Sequence, residues 1–130
     1  MIEGSCHCGK VRWQFDGVPE RATACSCTLC RRSGALWAHD WENEAIRVSG
    51  ETQVYLRGDR EIGLHFCGDC GSIVYTRTLA PGAEGRRRMA VNLRMAKPDA
   101  VAGVPIRRFD GFGAWEEVPA EGRVVRDVWF

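Results

Sequence analysis

FCGDCGS (66–72) places two cysteines three positions apart with Gly71 directly after the second, and the fold follows from what that pair needs around it. A zinc–sulfur bond of about 2.3 Å in a tetrahedron sets ligand sulfurs roughly 3.8 Å apart, so two ligands must come from a short, sharply bent segment. A CxxC knuckle supplies two of four donors, and the remaining two must come from elsewhere in the chain. Cys6-His7-Cys8, followed directly by Gly9, is the other isolated pair. A glycine after each pair fits a tight turn at positive φ that aims backbone N–H groups at sulfur. Taken alone, a CxxC is equally the pattern of a redox couple.

The remaining cysteines form one cluster, Cys25-Ser26-Cys27-x-x-Cys30. Seven cysteines divide as four and three. Cys6, Cys8, Cys67 and Cys70 make a closed, saturated site whose work is structural. Cys25, Cys27 and Cys30 leave one position open, the arrangement in which zinc takes water or substrate. His7, His39 and His65 are the imidazoles that could close that position, although lone histidines more often pack or face water. Two Zn²⁺ per chain are therefore expected, one structural and one catalytic. An odd cysteine count and the absence of a leader in MIEGSCHCGKVRWQF also speak against a disulfide framework and for a cytoplasmic location.

Around the clusters the sequence reads as strands. Val11, Trp13 and Phe15 alternate with Arg12 and Gln14, the period of a half-buried strand. ALWAHDW (35–41), AIRVSG (45–50), TQVYLRG (52–58), IGLHFC (62–67), SIVYTR (72–77) and RRMAVNL (87–93) follow at close spacing, rich in β-branched and aromatic residues. Thr28 to Ser33 allows one helical turn stopped by Gly34. APGAEGRRR (80–88) reads as an exposed loop. After Asn92 no element is assigned. With no repeat or linker, residues 1–130 read as a single, mainly β domain of antiparallel sheets.

Of the 130 residues, 45% are hydrophobic and 27% charged, proportions that exclude a disordered chain. A formal net charge of +1 gives no field that would gather nucleic acid, and no apolar run reaches membrane-spanning length. Partners are therefore expected to be small molecules.

The order GSCHCGKVRW (4–13), CSCTLCRRSGALWAHDW (25–41) and HFCGDCGSIVY (65–75) resembles the glutathione-dependent formaldehyde-activating enzyme family, also called the centromere protein V (GFA/CENP-V) family. The resemblance implies an Mss4-like β-tent with the two zinc sites divided as above. It further implies a carbon–sulfur lyase chemistry joining glutathione to formaldehyde as S-hydroxymethylglutathione. Ser26 stands where family members often carry His, and VPIRRFDG (104–111) replaces a His-containing stretch. Arg31 and Arg32, next to Cys30, are candidates to bind a carboxylate of a glutathione-like thiol, the alternative being solvation or balance of thiolate charge. Trp37, Trp41 and Trp115 are candidate pocket walls, core packing being the commoner use of tryptophan in β-proteins. Two other functions fit the same residues: a zinc lyase or hydrolase that uses bound water on another small electrophile, and a non-catalytic zinc binding module. Oxidation of the central cluster as a redox sensor is a third.

Overall fold

The computed structural model of the chain describes residues 1–129. Its strands are β1 (Ile2–Ser5), β2 (Arg12–Phe15), β3 (Ala22–Cys25), β4 (Trp37–Trp41), β5 (Ile46–Ser49), β6 (Gln53–Leu56), β7 (Ile62–Phe66), β8 (Ile73–Thr78), β9 (Arg88–Asn92), β10 (Ile106–Asp110) and β11 (Glu116–Val118). Among the described residues there are also three short α-helices, α1 (Thr28–Ser33), α2 (Pro98–Val101) and α3 (Val125–Trp129), and two 3₁₀ turns at Ala83–Gly85 and Leu93–Met95. The mainly β architecture agrees with the sequence pattern, and α1 ends at Gly34 with φ 70° as anticipated. Strands β1 (IEGS) and β3 (ATAC), which carry no run of β-branched and aromatic residues, escape that pattern, as does everything after Asn92.

Two sheets form. β1, β2 and β5 pair antiparallel in a small sheet, while the larger one runs β11-β10-β3-β4-β9-β8-β7-β6. Trp13 and Phe15 of β2 turn inward and are buried, whereas Arg12 and Gln14 face water. Trp13 lies against Gly4 so closely that a Cβ at position 4 would fall 2.2 Å from the indole. The core continues through Ile46, Val74, Met89, Val91 and Leu93, all almost inaccessible to water. Burial of each such side chain stabilises the fold by roughly 1.5–3 kcal/mol.

One pairing departs from the antiparallel expectation. β10 runs parallel to β3, with Ile106 opposite Ala22 and Phe109 opposite Cys25. A parallel pair needs a long connection, and here the chain crosses six strands before returning. The consequence is local: β10 and the turn after it are laid beside the central cysteines.

Hairpin ends carry the outer cysteines. The β1–β2 turn holds Cys6 and Cys8, and the β7–β8 turn holds Cys67 and Cys70, just beyond a register shift at His65/Phe66. Gly9 and Gly71 adopt φ of 84° and 76°, conformations that L side chains rarely accept. Lys10 and Asp69 form an ion pair across the two turns.

Candidate metal centres and the cavity beside them

All seven cysteines are free of disulfides. Their sulfurs gather into two groups, Cys6/Cys8/Cys67/Cys70 and Cys25/Cys27/Cys30, and within each the sulfurs lie within 4.8 Å of one another. Both groups could hold a metal ion.

In the first group Cys6 Sγ and Cys67 Sγ each lie 3.6 Å from Cys8 Sγ, close to the edge of a ZnS₄ tetrahedron. The Val11 N–H donates to Cys6 Sγ at 3.3 Å. Crowding splits the ionisation of the four thiols. Hydrogen bonding between the Cys70 sulfur and the Ser72 side chain, 3.4 Å apart, leads the effects that lower Cys70 to about 5, with backbone hydrogen bonds at Cys8 and Ser72 adding to it. At Cys8 the Lys10 N–H favours the thiolate, but desolvation and the three neighbouring sulfurs prevail and raise it to about 11. Like charges this close cannot all ionise without a cation between them. Four soft donors within 4.8 Å of one another fit a thiophilic dication.

The second group is built by one turn of chain. β3 delivers Cys25, and Cys27 is the N-cap of α1, its sulfur accepting from the Cys30 N–H at 3.3 Å. The Cys27 N–H reaches Cys25 Sγ at 3.4 Å, and the Trp37 indole N–H donates to Cys30 Sγ at 3.2 Å. Such donors stabilise thiolate and orient it. Burial raises Cys30 to about 12, with Cys27 and Cys25 adding to the effect. At Cys27 burial is outweighed by the Cys30 N–H, the neighbouring sulfurs and the charge of Arg57, so that thiol is lowered. The donor set again fits a soft dication, here with three sulfurs. Among the described residues no histidine joins it. His65 is buried, stacked on Tyr75 and bonded through Nδ1 to Thr52, and His7 is exposed in the first turn.

Ser26 and the VPIRRFDG stretch (104–111) meet at this loop. The Ser26 N–H donates to the Phe109 carbonyl at 3.0 Å, and its hydroxyl lies 3.4 Å from Asp110 Oδ1. Asp110 in turn accepts from the N–H groups of Phe112, Gly113 and Ala114, which hold its carboxyl below the usual range. Gly111 touches the sulfurs so closely that a Cβ there would lie 2.6 Å from Cys25 Sγ and 2.8 Å from Cys27 Cβ.

A cavity of about 270 Å³ opens beside Cys25 and Cys30, walled by Leu29, Trp37, Ile62, Leu64, Phe109 and Trp115. Arg57, Arg107 and His39 supply polar edges. His39 is exposed on β4, yet desolvation by the atoms packed around its ring, with the charges of Arg88, Arg107 and Arg21, pulls it down to about 4. A second hollow of about 370 Å³ lies beside Cys27, bordered by Arg32, Tyr55 and Arg57. Leu29 and Arg57 border both.

The sequence candidates divide accordingly. Arg32 borders the second hollow, while Arg31 sits over the Phe112 ring at 5.8 Å. Trp37 and Trp115 wall the cavity, whereas Trp41 is covered by Arg86 and Arg88 on the far end of β4. Sequence reasoning missed Arg57, whose Nη1 lies 3.6 Å from Cys27 Sγ. Thirty positions separate the two, and no local pattern connects them.

A solved Rhodobacter sphaeroides structure superposes with a TM-score of 0.61 at 26% identity, covering 81% of this chain and 99% of that one. A Halomonas elongata protein named "Putative glutathione-dependent formaldehyde-activating enzyme" is 29% identical over 90 residues, 58% of this chain. The match spans 55% of that relative's length. No helix among the described residues is long and apolar enough to cross a membrane. The family model for glutathione-dependent formaldehyde-activating enzymes matches residues 1–101, a span that holds all seven cysteines, and the chain belongs to that family.

Proposed function

We propose that the chain binds two zinc ions, one at Cys6, Cys8, Cys67 and Cys70 as a structural tie and one at Cys25, Cys27 and Cys30, and that the second site joins a glutathione-like thiol to an aldehyde. Formaldehyde is the family's named substrate. The observation that carries this reading is a three-sulfur group with no fourth protein donor among the described residues, opening onto a cavity.

When bound there, zinc supplies an open position that favours the thiolate form of an incoming thiol. The residues around it do the rest. Arg32 and Arg57 border the hollow beside Cys27 and are placed to hold a carboxylate of the thiol in fork geometry. Arg57 also borders the cavity, so the two reactants meet at its guanidinium. The Trp37 indole and the Cys30 N–H draw charge from the sulfurs and hold them in place. The apolar side chains that line most of the cavity offer water few partners near the carbonyl. In the net step the thiol sulfur forms a bond to the carbonyl carbon, the C=O π bond breaks, and the thiol proton ends on oxygen, giving a hemithioacetal. With three thiolates already moderating the metal, closeness of the reactants is the larger contribution.

The test is hemithioacetal formation from glutathione and ¹³C-formaldehyde, followed by exchange NMR with zinc-loaded protein. Acceleration over the spontaneous reaction is expected, lost in Cys25→Ala while the four-sulfur zinc remains. Equal acceleration by wild type and Cys25→Ala would contradict the reading.

A further inference from the structure

The cavity beside Cys25 and Cys30 is large and apolar for a two-heavy-atom substrate. A water molecule's share of liquid volume is about 30 Å³, and formaldehyde needs roughly two such shares. About 270 Å³ is available. An apolar cavity of about 150 Å³ already accommodates benzene in other proteins. With formaldehyde alone, most of the wall formed by Leu29, Trp37, Leu64 and Phe109 would gain no contact.

The wall is also supported. Trp37 and Leu64 are buried, and Trp37 is fixed by its indole bond to Cys30. Phe109 is held opposite Cys25 by the parallel β3–β10 pairing, and Trp115 packs edge-on against it at 5.3 Å between ring centroids. Ile62 and Trp115, 44% and 61% exposed, stand at the outer side, where a longer substituent would leave. The second hollow, with Arg32 and Arg57, suits the charged thiol. The apolar space is therefore left to the electrophile.

Resting on the thiol-addition reading above, we infer that the aldehyde preferred by this chain carries an aryl or branched alkyl group, which occupies the Leu29/Trp37/Leu64/Phe109 cavity while its carbonyl faces the Cys25/Cys27/Cys30 sulfurs. Atoms balance as for formaldehyde: RSH and R′CHO give RS–CH(OH)–R′, the thiol proton passing to oxygen and no redox partner being required.

The experiment compares phenylacetaldehyde with formaldehyde in glutathione addition by zinc-loaded full-length protein, as kcat/KM above the spontaneous rate. Phenylacetaldehyde is expected to exceed formaldehyde at least tenfold, since pocket contacts of this size discriminate by ten- to hundredfold. Ile62→Asp is expected to lower that ratio at least fivefold. Trp115→Ala, at a more exposed position, provides the same readout if Ile62→Asp fails to fold. Independently, the unreactive alcohol 2-phenylethanol should shift the Trp37 indole N–H resonance. Equal or better turnover of formaldehyde would overturn the inference and leave thiol addition standing. Catalysis of neither aldehyde would remove thiol addition as well. An unchanged ratio in both variants, or an unmoved indole resonance, would overturn the placement of the apolar group.

Discussion

At the scale of single residues, Arg57 and His39 make the site more than a set of sulfurs. Arg57 lies 3.6 Å from Cys27 Sγ and borders both the apolar cavity and the hollow where a carboxylate would rest. Charge-assisted hydrogen bonds contribute about 1.5–3 kcal/mol, so Arg57→Ala should raise the KM for glutathione roughly tenfold or more while kcat falls less. Steady-state kinetics with varied glutathione checks this, and an unchanged KM would remove Arg57 from thiol recognition. His39, though exposed on β4, is held down to about 4 by desolvation around its ring and by Arg88, Arg107 and Arg21. Its folded value lies below the unfolded one, so its contribution to stability is present above the ordinary histidine range and is lost as pH falls through the folded value. Ring-proton NMR should place the midpoint at least one pH unit below 6.5. A midpoint at or above 6.5 would contradict the charged surroundings described for it.

At the scale of elements, the informative pairing is β10 with β3. The sequence pattern names α1, its stop at Gly34 and most strands through β9, because hydrophobic alternation and helix-stop chemistry are local signals. It is silent on β10, since IRRFD (106–110) has no alternation and its parallel partner is some eighty residues upstream. The cysteine groups were legible because ligand spacing is itself local. Arg57 and the Phe109 wall were not, because they arrive by tertiary pairing. Gly111 shows what that pairing demands: its missing Cβ is the space occupied by Cys25 Sγ and Cys27 Cβ. Gly111→Ala should therefore weaken metal binding at the central site at least tenfold, measured by chelator competition, and leave the four-sulfur site untouched. Equal retention of both metals in that variant would mean the turn yields without disturbing the sulfurs.

At the scale of the whole molecule, the two zinc sites proposed above give the two sulfur groups different work. Cys6, Cys8, Cys67 and Cys70 tie the end of the small sheet's hairpin to the β7–β8 end of the large one. A metal held there contributes directly to folding. Cys67→Ala is expected to lower Tm by roughly 10 °C or more, because a loss of a few kcal/mol shifts a domain of this size by that much. Cys25→Ala, which empties a site confined to one loop, should change Tm by only a few degrees. Thermal melts of the two variants separate these outcomes, and equal losses would mean that the central group also supports the fold. The most direct test of the central claim is the metal content of intact protein by native mass spectrometry, wild type beside Cys25→Ala. Two zinc ions in the wild type and one in the variant are predicted. A single ion in the wild type, or two retained by Cys25→Ala, would contradict the division into a closed site and an open one.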